Sequence, residues 1–168
     1  MKILFETERC VVRHLQMSDL EPFHEMQSNP KVMQYVRGEG MTREENEKEL
    51  PELITKYDQE DNDFWIYAIE RKTDGIFIGS CALVKDDNGN DELGYRFLEK
   101  YWGLGFGYEI CLGLSKYCKS IGMNFLIGYV ADENVASARI LQKSGFKEIE
   151  KRMEPKLNVL ETKYRLDL

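Results

Sequence analysis

The stretch EKYWGLGFGYEI, Glu99 to Ile110, sets Gly103, Gly105 and Gly107 at alternate positions directly before a segment of helical spacing. Each glycine costs roughly 0.5–1 kcal/mol relative to alanine inside regular structure, so three together need a reason. Binding a phosphate supplies one. The first N–H groups of a helix have no intrahelical acceptor, and the helix dipole places roughly half a positive charge there. Glycines remove the β-carbons that would hold a diphosphate away from those groups. A plain flexible loop leading into a helix fits the same spacing. Two other phosphate loops do not. Phe106-Gly107-Tyr108-Glu109 lacks the Gly-Lys-Ser/Thr ending of a Walker loop, and the next strand, NFLIGYVA, has no acidic residue for a dinucleotide ribose.

The other reactive side chains offer less. Cys10, Cys81, Cys111 and Cys118 form no C-x-x-C pair, and His14 and His24 are the only histidines. Neither a structural zinc nor a disulfide framework is expected. Cys111 and Cys118, two turns apart, read as a small apolar stripe rather than as nucleophiles. A formal charge of −7 argues against a general nucleic-acid binder, which needs a basic face. No stretch approaches the roughly 20 apolar residues of a membrane span. Glu6 ends the opening apolar run too early for a signal peptide, and a cytoplasmic setting is expected.

These residues have to be positioned by regular elements, and the 168-residue length suits a single domain, 1–168. The spacing predicts a strand over Thr7–Leu15 and a helix over Leu20–Gln27 that Ser18 and Asp19 can cap and that ends at Ser28-Asn29-Pro30. A helical turn starts at Pro30. Thr42 and Glu45 form a capping-box pattern for a charged helix, with an interruption expected near Pro51. FWIYAIER, GIFIGSCALV and DELGYRFL, separated by turn residues, predict an antiparallel meander. Phe106, Ile110, Leu114, Tyr117 and Ile121 then recur at helical spacing up to a cap at Gly122. NFLIGYVA is a near-continuous apolar strand suited to a sheet centre, and strand, helix and strand imply a parallel pair. A short helix over Asn134–Ser144 and a last strand in VLETKYRLDL complete the chain.

Four segments together resemble one family. WGLGFG, Trp102 to Gly107, is similar to the Q/R-x-x-G-x-G/A phosphate loop of the GNAT superfamily of N-acetyltransferases. Tryptophan in place of the usual Gln or Arg resembles the ribosomal-protein N-terminal acetyltransferase branch. ELGYRFLEKYWG is similar to that branch's E-I-G-Y…Y-W-G stretch, NVASARILQKSGF to N-x-x-S-x-x-L-x-x-x-G-F, and ETERCVVRHL to its opening E-T-E-R-L-x-L-R. The resemblance implies an α/β GNAT fold: a mixed, mostly antiparallel twisted sheet with one splayed parallel pair, flanked by helices on both faces.

It also implies acetyl-CoA as cosubstrate, no metal, and direct transfer to a primary amine. In the family the pantetheine arm lies where two parallel strands splay, here DELGYRFL and NFLIGYVA. Phe97 and Leu98 would offer main-chain partners to that arm, and Trp102, Gly103, Leu104, Gly105, Phe106, Gly107 and Tyr108 would surround the diphosphate. Asn134 and Ser137 resemble the branch's polar pair beside the cofactor arm, although Asn134 equally fits an ordinary helix N-cap. Arg139 could reach a CoA phosphate or simply face solvent. Many superfamily members protonate the departing thiolate with a tyrosine, but Leu141 stands at that position, so Ser137 or a water is the substitute. Glu92 could accept the amine proton through water, or be a strand-edge charge in solvent. Tyr95 and Tyr129 read as packing residues with polar tips.

The acceptor is a peptide or protein N-terminal α-amine by branch resemblance, or a small amine such as a polyamine or aminoglycoside. A CoA-binding sensor or interaction module without catalysis is the competing function, and a nucleotide-phosphate binder without acyl chemistry a third. No membrane or nucleic-acid partner is expected, and an oligomer is compatible with the sequence.

Overall fold

Three extended runs in the middle of the chain become β3 (Phe64–Arg71), β4 (Ile76–Lys85) and β5 (Asp91–Phe97) in the computed structural model, which describes residues 2–168. They pair antiparallel in the expected meander. Ahead of them come β1 (Ile3–Glu6), β2 (Cys10–His14), and helices α1 (Leu20–Ser28), α2 (Pro30–Met33) and α3 (Arg43–Lys56). After them come α4 (Phe106–Ser120), β6 (Phe125–Ala131), α5 (Val135–Lys143), β7 (Lys147–Glu154) and β8 (Val159–Asp167). The sheet order is β1-β2-β3-β4-β5-β6-β8-β7. The apolar strand β6 therefore lies inside the sheet, between β5 and β8.

Strand alternation divides the core in two. Tyr67 and Ile69 of β3, Leu93 and Phe97 of β5, and Leu126 and Val130 of β6 pack on the α4 face with Ile110, Cys111, Leu114 and Cys118. Ala68 of β3 and Phe77 of β4 pack on the other face with Phe23 and Met26 of α1 and Leu50 and Leu53 of α3. Helices thus cover both faces. Cys111 and Cys118 are fully buried in the first cluster, as an apolar stripe should be.

All the strands pair antiparallel except β5 and β6, which are joined in parallel register only at Glu92↔Ile127. Beyond that point the two diverge, and the βαβ connection through α4 brings a helix N-terminus to the opening.

Two expectations change, and one strand is added. The first strand is confined to Cys10–His14, because Thr7–Arg9 form a tight turn in which the Thr7 N–H donates to the Cys10 carbonyl at 2.9 Å, and β1 precedes it. Pro51 does not interrupt α3, although it forfeits a backbone bond. Asn46, Leu50 and Leu53 bury one continuous face on either side of it, which holds the helix together. β7 adds a charged edge strand against β8. The Thr42–Glu45 capping box is present, with the Thr42 N–H donating to Glu45 Oε2 at 2.7 Å.

Candidate active site

The glycines before α4 have separate physical reasons. Gly103 and Gly105 lie at φ 73° and 84°, the left-handed region that a side chain disfavours. Gly107 lies inside the helix, where a β-carbon would stand 2.8 Å from Ile140 Cδ1, so it allows α5 to approach α4 closely. Gly105 is the N-cap of α4 and carries no capping side chain. The first intrahelical bond runs from the Glu109 N–H to the Gly105 carbonyl at 3.2 Å. The N–H groups of Phe106, Gly107 and Tyr108 are left without intrahelical acceptors at the positive end of a 15-residue helix. These residues fit an anionic diphosphate. Trp102 and Leu104 stand half exposed on the loop.

An ion pair that the sequence did not announce braces this loop. Arg9 donates its Nε to Glu109 Oε2 at 2.6 Å and its Nη1 to the Leu104 carbonyl at 3.0 Å, and its guanidinium lies over the Phe106 ring at 4.3 Å. Thr7 Oγ1 and the Arg9 N–H both donate to Glu109 Oε1, at 2.6 and 2.8 Å. Burial would raise the Glu109 carboxyl, but the hydrogen bonds from Thr7 and Arg9 outweigh it and hold the pKa below the usual value. The only signal in the sequence was the Thr7-Glu8-Arg9 motif itself, one hundred residues from its partner.

Next to the loop, β5 ends at the opening. The Leu98 N–H donates to the Ile78 carbonyl of β4 at 3.0 Å, and the Leu98 carbonyl accepts from the Tyr101 N–H at 2.9 Å. Main-chain polar groups alternate sides along a strand, so those of Phe97 and Tyr95 are directed away from β4, toward the gap. The Phe97 carbonyl accepts from Trp102 Nε1 at 2.9 Å, so the tryptophan latches the loop to the end of the strand.

Side chains on β5 supply titratable groups to both faces. Glu92 is partly buried, and that burial, reinforced by Glu161 and Asp86, pushes its carboxyl up to about 7 against the pull of Arg152 and Lys163. Asp86 stays well below the ordinary carboxylate range. Burial opposes this, but hydrogen bonds from Asn90, Tyr129 and Asn88 prevail. On the α4 face, the Tyr95 hydroxyl lies 3.1 Å from Ser137 Oγ, and burial raises the Tyr95 pKa. Asn134 caps α5 by accepting the Ser137 N–H at 3.3 Å. Arg139 is exposed on α5 with no ion pair among the described residues. Leu141 is 2% exposed, packed in the core. The structure therefore brings Ser137, Asn134 and Tyr95 together on one side of β5 and sets Glu92 on the other. Tyr95, taken from the sequence as a packing residue, is the partner that the hydroxyl of Ser137 finds.

Comparison with known proteins bears on the fold and the family. Residues 9–147 match the family model described as an acetyltransferase (GNAT) domain. The uncharacterized N-acetyltransferase p20 of Bacillus licheniformis is 26% identical over 145 residues, covering 84% of this chain and 81% of its own. A GNAT-family acetyltransferase from Bacillus anthracis superposes with a TM-score of 0.84 at 21% identity, over 99% of this chain and 98% of that one. RimL, a ribosomal L7/L12 α-N-protein acetyltransferase solved in complex with coenzyme A, superposes with a TM-score of 0.79 at 15% identity, over 99% and 98%. The chain belongs to the GNAT family of acetyltransferases.

Proposed function

We propose that this acetyltransferase moves the acetyl group of acetyl-CoA directly to a primary amine, and that the acceptor is the N-terminal α-amine of a peptide or protein. The observation that carries the reading is the Glu92 carboxyl, raised to about 7 at the point where β5 leaves β6. An amine must lose its proton to attack, and a base of that strength is matched to an α-ammonium of pKa about 7.7–8.0. RimL's likeness in fold supports the same class of acceptor.

Acetyl-CoA supplies an activated thioester carbonyl. The N–H groups from Gly103 to Tyr108 hold its diphosphate at the α4 N-terminus, with Arg9 and Glu109 keeping that loop in place. Main-chain groups of Phe97 and Tyr95 face the pantetheine arm, and Arg139 is free for an outer phosphate. Glu92 takes the amine proton through water. Across β5, the Ser137 hydroxyl, backed by Tyr95, donates a hydrogen bond to the departing thiolate, which takes its proton from water. Asn134 serves by holding the first turn of α5, and with it Ser137, in place. No cysteine is suited to forming an acyl-enzyme: all four are buried, and burial pushes Cys10 and Cys111 up to about 11 and Cys118 up to about 12.

The test is thiol release from acetyl-CoA with a panel of peptides and small amines, followed by mass spectrometry of the acceptor. One acetyl group on the peptide α-amine is expected. CoA binding without turnover would turn the reading toward a binding module, and an acetylated cysteine in the protein would end the direct-transfer mechanism.

A further inference from the structure

The face of β5 that looks toward α1 and α3 carries Glu92, Gly94 and Arg96 at alternate positions. Arg96 differs sharply from Arg13, the protein's most buried arginine. Arg13 is 4% exposed and saturated by carboxylates, with both oxygens of Asp19 and Oε2 of Glu70 each at 2.8 Å. Arg96 meets no carboxylate among the described residues. Its Nη1 donates to the side-chain carbonyl of Gln27 and touches Met33 Sδ at 3.9 Å. Its Nε and Nη2 donate to nothing among the described residues, yet neither is sealed off. The one fully enclosed side-chain nitrogen or oxygen without a partner among those residues is Asn62 Nδ2. The free edge of the guanidinium is therefore accessible, and Arg96 lines a cleft.

That cleft has a volume of about 70 Å³ between the sheet and α1 and α3, room for a carboxylate group, with Gln27, Glu49, Ser80 and Gly94 also in its walls. Ser80 lies directly opposite Arg96 across the β4–β5 pair. It is 4% exposed, and its hydroxyl has no hydrogen-bond partner among the described residues. Burial lowers the Arg96 pKa, with Glu49 opposing. Glu49 is kept from direct contact by Gln27, whose amide nitrogen donates to Glu49 and to Asn46 while its carbonyl accepts from Arg96. A guanidinium drawn out of water without a carboxylate is costly, and a forked set of unused donors beside an idle hydroxyl is built to receive one.

We propose that this cleft is an anion subsite for the acceptor, in which a substrate carboxylate pairs with the free edge of Arg96 and accepts from the Ser80 hydroxyl. The inference rests on the acetyl-transfer reading above and names the acceptor more narrowly. Arg96 and Glu92 are four residues apart on one strand face, about 13 Å between backbones at 3.3 Å per residue. Gly94 and its cross-strand partner Ala82 leave the floor between them low, with only ordinary contact where a β-carbon would stand at 3.6 Å. Once both side chains reach inward, the remaining span suits an amine one or two residues from a carboxylate. Such an acceptor is a peptide whose second residue is acidic, or a free amino acid. Glu49 on the same cleft disfavours a dianionic phosphate.

Binding is measured calorimetrically to the CoA-saturated protein with the hexapeptide amides Ser-Asp-Ala-Ala-Ala-Trp and Ser-Asn-Ala-Ala-Ala-Trp, and with free serine against serine amide. At least a ten-fold preference for the carboxylate-bearing member of one pair is expected, and which pair shows it distinguishes the two sources. Arg96→Gln abolishes that preference, Arg96→Lys restores part of it, and Ser80→Ala weakens it about three-fold. Equal affinity within both pairs, no affinity for any of the four, or a preference unchanged in R96Q overturns the proposal. The wild-type comparison stands even if a variant fails to fold. Thiol release with the same peptides is read separately. If nothing is acetylated while an Arg96-dependent preference persists, the Glu92 chemistry fails and the anion subsite stands.

Discussion

Replacing Glu92 by glutamine tests the catalytic base through stability as well as through rate. An ordinary glutamate titrates at 4.5, and in the folded protein Glu92 titrates at about 7. Below about pH 4.5 the side chain is protonated whether the chain is folded or not, and it contributes nothing. Between 4.5 and 7 the unfolded chain gives up this proton while the folded one keeps it, so stability falls by about 1.4 kcal/mol per pH unit. Above 7 both states are ionised and the penalty levels off at up to about 3 kcal/mol. The amide is neutral throughout and nearly isosteric. Glu92→Gln should therefore match the wild type at pH 4.5 and exceed it at pH 8, by about 1 M in the urea midpoint for a denaturant slope of about 3 kcal/mol/M. Because the comparison is a difference at each pH, other titrating groups largely cancel. The same substitution should lower kcat/KM about 100-fold and remove the rise that the wild type shows as pH climbs through 7. CoA affinity should not change. A stability difference that is constant from pH 4.5 to 8, or a variant that keeps the wild-type pH profile, would refute the assignment of Glu92 as an enclosed, destabilised base.

Two further substitutions separate the parts of the site. Gly105→Ala forces a β-carbon onto a residue at φ 84° and should cost about 1–2 kcal/mol, while calorimetry records at least a ten-fold loss of CoA affinity. A stability loss with unchanged CoA affinity would detach the bend from cofactor binding. Asn134→Ala removes the cap of α5 and should cost about 1 kcal/mol, a fall of about 2–4 °C in Tm, with CoA affinity retained and Asn134→Ser recovering most of the loss. A ten-fold loss of CoA affinity in a fully stable Asn134→Ala protein would instead make this side chain a direct cofactor ligand.

Local signals were legible in the sequence, and long-range ones were not. β6 could be read because seven successive residues are apolar or small, a pattern that only an interior strand tolerates. The α4 N-terminus could be read because its glycines fall at alternate positions within five residues, although their separate reasons could not: two serve backbone dihedrals and the third serves packing against Ile140. β7 was missed because KEIEKRME has no strand alternation and leaves Ile149 and Met153 half exposed. Its pairing to β8 holds it in place, and charge suits an edge. The Arg9–Glu109 brace and the idle edge of Arg96 both depend on contacts between distant segments, which no local pattern encodes.

On the reading proposed above, β5 meets the cofactor and the acceptor by different means, and this decides where specificity can change. On the cofactor side the contacts proposed are mostly main-chain groups: the N–H groups at the start of α4 and the polar groups of a strand that has lost its neighbour. Side chains there can be exchanged without losing those donors, provided the bend keeps its glycines. Trp102 illustrates this, since it stands where the family motif has Gln or Arg and spends its indole N–H on the Phe97 carbonyl. On the proposed acceptor side the polar groups are side chains, namely Arg96, Ser80, Gln27 and Glu49 in the cleft and Glu92 farther along the same face of β5. One substitution there changes the charge the substrate meets and leaves the acetyl-CoA site as it was. A chain of this fold can therefore change acceptors by editing alternate residues of β5 and the helices above them, and Arg96 is the position at which such an edit would be read first.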